Sequence, residues 1–458
     1  MSDTKPQAAP LARAKLTQGS VTSHLVGQTA PAIVGVAAIM SIGLVDAYFI
    51  GQLGSDALAA IAFIFPISVA LSSIGVGVMV GINSVVARAL GEGDAMRAAR
   101  RANFGILFAL AVGIVIGLSL YAALDPLFKL MNAPDHLLVL IRAYMEPFAL
   151  GFPLILVIMG FNGVLRGQGE ARKTSMVSIS YAAANWVLDP ILITGALGFE
   201  GFGIAGAAYA TIIGYAIGAV VAALLVRRAD LPLDPSLMKD SHVLDSASAI
   251  MRVAGPAAFS NSINPIGLAI LTALIALQGD AAVAGFGAAG RLQSFATVPL
   301  LALSGSIGAI VGQNWGAKAY DRARQAALYA FGFCIIWGLG IAAAMVAGGQ
   351  WFAVMFTDDP AVVAQFSLYL HIAAWGYAGF GVLIIANGIL NAVDKAPYAL
   401  WQSALRVFGV MLPAAWLLVA SWGSAAIYSA ELAANLFGGL SGAVLIYWVL
   451  KRRAPDAG

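Results

Sequence analysis

The chain has 458 residues, of which 60% are hydrophobic and only 10% are charged. Soluble globular proteins carry about 25% charged residues, so this composition excludes a water-soluble fold. The net charge of +3 gives no sign of nucleic-acid binding, and the single cysteine excludes an internal disulfide. The four histidines lack metal-site spacing, so we expect no cofactor and no metal other than a coupling ion.

Long apolar runs dominate the chain, and about twenty apolar residues cross a bilayer as a helix. The runs are too long and too continuous for the alternating strands of a membrane barrel. The sequence therefore predicts an all-α integral membrane protein with twelve transmembrane helices over 26–50, 58–87, 102–124, 139–164, 175–195, 203–226, 253–277, 283–313, 325–348, 361–389, 398–420 and 424–450.

Charge alternates between the connections. The even-numbered connections are basic, as with Arg97 and Arg101 in the second and Arg322 and Arg324 in the eighth. The odd-numbered connections are acidic, and Lys129 is their one clear basic residue. Because loops rich in Lys and Arg stay in the cytoplasm, we predict a multi-pass protein of the plasma (inner) membrane with both termini cytoplasmic.

The two halves of the sequence repeat each other. The repeat pairs Pro31 with Pro256, Gly54 with Gly279, Gly91 with Gly316, Tyr144 with Tyr369, and Asn162 with Asn387, each pair 225 residues apart. Since each half has an even number of helices, this is a parallel repeat about an axis along the membrane normal. Such repeats place a substrate cavity between the halves, near the middle of the membrane.

The longest polar connection lies between the halves, and we expect it to be exposed. The predicted organisation is a cytoplasmic N-terminal tail over 1–25, an N-lobe of six helices over 26–228, a cytoplasmic linker over 229–252, a C-lobe of six helices over 253–450 and a cytoplasmic tail over 451–458.

Two acidic residues lie inside predicted spans, Asp46 in the first and Asp189 in the fifth. Asn185 precedes Asp189 by four residues, so both lie on one helical face, and Asn162 is a polar residue of the fourth span. Ionisable residues are costly in a bilayer and mark functional sites. Two carboxylates with amide oxygens suit a proton or Na⁺, whereas the alternative role is interhelical hydrogen bonding.

The repeat favours the functional role. The positions equivalent to Asp46 and Asp189 in the second half are Leu271 and Ala414, whereas a structural residue should more often be present in both halves. We therefore predict that the N-lobe carries the ion-coupling site. Pro190, directly after Asp189, is expected to open the helix backbone there.

The C-terminal half offers a second candidate polar site, comprising Arg291, His371 and Glu431. A structural salt bridge involving Glu431 is the favoured interpretation. His371 is expected to be a neutral, hydrogen-bonding histidine rather than a proton relay.

Four stretches, in order, resemble the multidrug and toxic compound extrusion (MATE) family. They are VDAYFIGQLGSDALAAIA, GVLRGQGEARKT, NWVLDP and QNWGAKAYDRA. The resemblance implies a monomeric transporter with two lobes and a central cavity. It implies export of amphipathic, cationic small molecules in exchange for H⁺ or Na⁺, and hence antibiotic resistance.

The resemblance also implies site residues. Asp46, Asn162, Asn185 and Asp189 match the family's cation-site positions in the N-lobe, and Thr211 is the nearest candidate for a further ligand. Some members carry carboxylates on the seventh and tenth helices. This chain has Asn261, Asn264 and His371 there, which favours the DinF-like branch, whose coupling site lies in the N-lobe.

Three other classes compete. A lipid-linked oligosaccharide flippase of the same superfamily usually has more helices or a more cationic cavity. A major-facilitator transporter would carry a different loop after its second helix than ARALGEGDAMRAARRA. An intramembrane enzyme would need clustered catalytic groups, and the spread-out acids argue against one.

Overall fold

The computed structural model describes residues 14–195, 198, 200–231, 234–238, 243–355 and 357–451. Within these residues the chain is helical, without strands, and twelve helices are long and apolar enough to cross a membrane. The predicted all-α fold is confirmed. The helices are α1 Val21–Gly51, α2 Ser55–Gly91, α3 Ala95–Leu130, α4 Asp135–Gly167, α5 Ala171–Gly195, α6 Ile204–Arg227, α7 Val243–Ala276, α8 Asp280–Gly316, α9 Tyr320–Ala347, α10 Pro360–Ala392, α11 Ala396–Trp422 and α12 Ser424–Lys451.

Most helices begin a few residues before their apolar runs, and two of them, α1 and α7, begin inside the predicted tail and linker. α1 begins at Val21, inside the predicted 1–25 tail, where the Ser20 side chain caps it by accepting a hydrogen bond from the Ser23 N–H. α7 begins at Val243, inside the predicted 229–252 linker. Apolar runs mark the membrane-embedded part of a helix but not its polar ends. Within the two predicted tails, residues 1–13 and 452–458 lie outside the described residues.

The connection between the lobes is partly docked, which differs from the exposed linker that we expected. Leu231 is 1% exposed because its side chain packs into the N-lobe core. Its backbone N–H donates to Gln168 Oε1 at 3.2 Å. Asp230 lies 2.7 Å from Lys15 Nζ, which ties the connection to the segment before α1. Burial of Leu231, one backbone hydrogen bond and one ion pair therefore anchor this connection to the N-lobe and to the segment before α1.

The helices α2 and α8 cross with reciprocal contacts. A Cβ atom added at Gly91 would lie 2.1 Å from the Gln313 carbonyl oxygen, and one at Gly316 would lie 2.3 Å from that of Arg88. Gln313 and Gly316 are the repeat equivalents of Arg88 and Gly91. Such reciprocal pairs are what a twofold axis generates, so the two lobes are related by a pseudo-twofold. Only glycine permits this backbone approach.

One end of the bundle, here called the terminal face, holds both described ends of the chain. At this face Arg324 Nη2 donates to the Leu450 carbonyl at 2.9 Å, and the Leu16 N–H donates to Gln313 Oε1 at 3.0 Å. Among the described residues, the hydrogen bonds and ion pairs that join the two lobes all lie in the half of the bundle next to this face. The lobes are therefore closed against each other there. The cytoplasmic location of the terminal face stays a prediction.

Candidate ion-coupling site and central cavity

The first and fifth helices pack closely, and this positions the candidate site. A Cβ atom at Gly35 would lie 3.1 Å from Ser175 Oγ, so glycine allows the helices to approach. Ser175 Oγ donates to the Pro31 carbonyl at 2.7 Å. Farther along, Trp186 Nε1 donates to Ser41 Oγ at 3.1 Å. These contacts fix α1 against α5 over the length that leads to the two intramembrane acids.

The two acids meet between these helices. The Asp46 carboxyl faces the Asp189 carboxyl and the Asn185 side chain. Asp189 is fully buried, Asn185 is 1% exposed, and Asp46 is half-buried. One Asp46 oxygen, both Asp189 oxygens and the Asn185 amide oxygen are buried without a hydrogen-bond donor among the described residues. Buried polar atoms are rarely left unpaired, so this group of oxygens is suited to accept a hydrogen-bond donor or to hold a proton or a cation.

Other side chains surround the pair. Asn185 Nδ2 donates to Thr211 Oγ1 at 3.5 Å, which brings the predicted further ligand on α6 next to the site. Tyr144 on α4 and Tyr215 on α6 lie close enough to Asp46 for electrostatic interaction. Sequence reasoning identified Tyr144 only as a repeat position and did not identify Tyr215. Four helices, α1, α4, α5 and α6, therefore enclose the carboxyl pair.

The backbone unwinds directly after Asp189. Residues Pro190–Gly195 form a π-helical segment at the end of α5, as the proline led us to expect. The freed carbonyls are not orphaned, because the Phe202 N–H donates to the Leu192 carbonyl at 2.7 Å. Gly206 on α6 packs so closely that a Cβ atom there would lie 1.9 Å from the same carbonyl oxygen. Irregular backbone at membrane depth is tolerated only when it is satisfied in this way.

Asn162 is separate from this group in its hydrogen bonding. It is buried on α4 at 3% exposure, and its amide oxygen also has no partner. Among the described residues, no hydrogen bond joins Asn162 to the other four predicted residues of the N-lobe site.

The buried acid of the C-lobe, Glu431, does not form the salt bridge that we predicted. Glu431 is 3% exposed on α12, and none of the ion pairs among the described residues includes it. Its carboxylate instead accepts from the Tyr369 hydroxyl and from Gln293 Nε2, each at 3.2 Å. The prediction of a salt bridge is therefore wrong. Tyrosine and amide donors satisfy this carboxylate at less desolvation cost than a second buried charge.

The structure does not bring the three predicted C-lobe residues together. Arg291 and His371 are exposed, whereas Glu431 is buried. A ring nitrogen of His371 bonds only the Ser367 carbonyl, one turn earlier on its own helix, at 2.7 Å. The apolar runs gave the position of each residue along its helix but not the direction in which it points.

A cavity of about 330 Å³ lies between the two lobes. Helices α2 and α4 line it from the N-lobe, and α7, α8, α10 and α11 line it from the C-lobe. Among the described residues that line it, the charged ones are Arg166 and Arg406, and none is acidic. The amide-bearing residues of the lining are Asn83, Asn261, Asn264, Asn387 and Asn391.

Comparison with known proteins identifies the family. The MatE family model matches residues 31–191 and 256–417, once in each lobe. A Shewanella oneidensis protein named FAD transporter is 32% identical over 393 residues, which cover 85% of this chain and 86% of the relative. The probable multidrug resistance protein YpnP of Bacillus subtilis is 27% identical over 381 residues, covering 82% and 83% of the two chains.

A solved structure has the same fold throughout. A mutant of the Vibrio cholerae MATE transporter VcmN superimposes with a TM-score of 0.90 at 28% identity, covering 95% of this chain and 98% of that one. The family model, the curated relatives and this structural neighbour agree with the two six-helix lobes described above. The chain belongs to the MATE family, whose members are transporters and not enzymes.

Proposed function

We propose that this chain is a monomeric secondary active exporter that moves small organic molecules out of the cell in exchange for H⁺ or Na⁺ by alternating access. The observation that carries the proposal is the buried pair of carboxyl groups of Asp46 and Asp189, whose oxygens lack donors. Charged groups inside a membrane protein are costly and are kept for ion pathways and coupling. The location of this carboxyl pair in the N-lobe also favours the DinF-like branch of the family.

Coupling follows from occupancy of this pair. With both carboxyls ionised and empty, two like charges face each other in a poorly solvated site. A proton shared between them removes this repulsion, as does a Na⁺ held by their oxygens and the Asn185 amide oxygen. A ligand shifts a conformational equilibrium only by its difference in affinity for the two states. We expect the loaded pair to favour one arrangement of the lobes and bound substrate to favour the other.

The closed terminal face determines from which side of the membrane the substrate can reach the central cavity in this structure. If this face is cytoplasmic, as the basic loops predict, the lobes here are closed toward the cytoplasm. The Arg88–Asp394 ion pair, at 3.4 Å, and the hydrogen bond from Ser84 Oγ to the Asn391 carbonyl, at 2.7 Å, hold this closure. Transport then requires these contacts to break and a matching closure to form at the opposite face.

The names of the relatives offer two substrate classes. The Shewanella oneidensis relative is named a FAD transporter, and the Bacillus subtilis relative is named a probable multidrug resistance protein. We expected cationic substrates from the sequence. A cavity whose charged lining residues are both arginines does not favour cations, so the proposal is not restricted to them.

A flippase for lipid-linked oligosaccharides is the second candidate function. The arginines of the cavity are the observation that favours it, because such flippases usually have more cationic cavities. The twelve helices favour the exporter. Transport of a soluble substrate, without a lipid anchor, distinguishes the two.

The deciding experiment is flux in proteoliposomes under an imposed Na⁺ gradient or an imposed pH gradient. The soluble fluorescent probes are ethidium and riboflavin 5′-phosphate, which span both charges. Asp46→Asn keeps the side-chain shape and removes the charge, so we expect gradient-driven flux to be lost. The matched control is Asp56→Asn, an exposed acid at the start of α2, which should transport normally. Unchanged flux by Asp46→Asn under both gradients would refute the coupling site.

A further inference from the structure

Arg406 is a buried cation without an ion-pair partner in the part of the chain that the structure describes. It is 2% exposed, in a π-helical segment of α11, and it lines the central cavity. Its guanidinium donates to the amide oxygens of Asn435, at 2.6 Å, and of Asn264, while its Nε–H has no partner. Glu431 interacts with Arg406 electrostatically without contacting it, because the Glu431 carboxylate is hydrogen-bonded to Tyr369 and Gln293 instead. Buried charges are normally paired directly.

Arg166 reaches the same cavity from the other lobe. It is half-buried near the end of α4, and its guanidinium packs against the α8 backbone, where a Cβ atom at Gly305 would lie 2.3 Å from Arg166 Nη1. No hydrogen bond or ion pair to another described residue engages it. Two guanidinium groups, one from each lobe, thus line one cavity without a carboxylate on its walls. Such a lining creates a positive potential and attracts anions.

The uncharged residues that line the cavity favour a second feature of the ligand, namely N–H groups. The amide oxygens of Asn83, Asn387 and Asn391 are buried without donors, so they would accept hydrogen bonds from N–H groups of a ligand. The Phe380 ring also lines the cavity, and its centroid lies 5.4 Å from Arg406 Cζ. An aromatic ring beside a guanidinium provides a surface on which a flat ring can stack.

We infer that the central cavity is an anion-selective substrate site for phosphate esters that carry a flat, N–H-bearing heterocycle, the chemistry of a nucleotide. Guanidinium groups match phosphate in a two-pronged geometry, which favours phosphate over other anions. The amide oxygens and Phe380 would hold the heterocycle. This inference rests on the proposed function, since it assigns a substrate class to the exporter. Because Arg166 and Arg406 belong to different lobes, a phosphate that binds both would also make substrate affinity depend on the arrangement of the lobes.

The test uses two flavins that differ by one phosphate. Binding of riboflavin 5′-phosphate and of riboflavin to the purified protein is measured by flavin fluorescence. We expect the wild type to bind the phosphorylated flavin at least ~tenfold more tightly, because charge-assisted hydrogen bonds are among the strongest. Arg166→Gln and Arg406→Gln should each remove most of that preference, because they weaken binding of the phosphorylated flavin far more than binding of riboflavin. Arg406→Lys, which keeps the charge, checks for misfolding and should retain part of it.

The control is Arg142→Gln, an exposed arginine on the same helix as Arg166 that pairs with Asp125 outside the cavity. It should leave both affinities unchanged. Equal affinity of the wild type for the two flavins, or an undiminished preference in both glutamine variants, would overturn the inference. Gradient-driven flux of ethidium or riboflavin in the same preparation keeps the proposed function separate. If gradient-driven flux persists while the preference for the phosphorylated flavin is absent, the exporter function is supported and the anion site is refuted.

Discussion

Gln313 is the residue that we expect to control opening of the terminal face. It is fully buried on α8. Its Nε2 donates to the Gly167 carbonyl of the N-lobe at 2.9 Å, and its Oε1 accepts from the Leu16 N–H at 3.0 Å. One side chain therefore joins the C-lobe both to the N-lobe and to the segment before α1. Gln313→Ala removes both bonds without changing any charge.

The size of the effect follows from the two backbone groups left behind. A buried polar group without a partner costs about 1–3 kcal/mol. We take about 2 kcal/mol for the sum, since water replaces part of the lost bonding once the face loosens. Because a tenfold change in an equilibrium corresponds to about 1.4 kcal/mol, the ratio of closed to open forms should fall by about 30-fold.

The assay is a distance distribution between spin labels on the two lobes. Met96 on α3 and Asp321 on α9 are exposed repeat equivalents at the terminal face, and they are labelled as cysteines in a Cys334→Ala background. Gln313→Ala should increase the population of long distances. Gln325→Ala is the matched control, because Gln325 is exposed and bonds only Tyr329 on its own helix. A Gln313→Ala distribution identical to that of the control would refute the reasoning.

Three further predictions test the site and its scaffold. Asp189→Asn should abolish gradient-driven export with near-normal expression, measured by proteoliposome flux; normal flux would move the coupling site elsewhere. Gly206→Ala should lower the thermal unfolding temperature, because its Cβ would collide with the Leu192 carbonyl, whereas Gly255→Ala, with open space around it, should not. Glu431→Gln should keep coupled flux, since an amide can still bond its neighbours; lost coupling would indicate a second ion site in the C-lobe.

The sequence predicted the helices well because the bilayer imposes a simple rule. Each crossing needs an apolar run of one length, so twelve runs predict twelve helices. The same rule made Asp46 and Asp189 conspicuous, because an acid within such a run is costly. The comparison of halves then directed attention to the N-lobe. We expected these two carboxyls to face each other inside the N-lobe, and in the structure they do.

The direction in which a side chain points was beyond prediction wherever the run was apolar on every side. Arg291 and His371 were grouped with Glu431, yet both are exposed whereas Glu431 is buried. Arg406, a further basic residue within a C-lobe span, lines the central cavity. In a helix that is apolar all round, periodicity carries little information about which face is inward. The sequence therefore did not predict that arginines line the central cavity, because this depends on how the helices pack.

The two lobes share a scaffold but treat their buried acids differently. Tyr144 and Tyr369 are repeat equivalents, and each lies beside a carboxyl group of its own lobe. In the C-lobe, Tyr369 and Gln293 satisfy Glu431, and a fully bonded buried network is rigid. In the N-lobe the oxygens of Asp189 have no donor among the described residues, so they are free to bind a proton, a cation or water. We therefore propose that the asymmetry in hydrogen bonding, rather than in fold, places ion exchange in the N-lobe, and that the C-lobe presents Arg406 to the substrate.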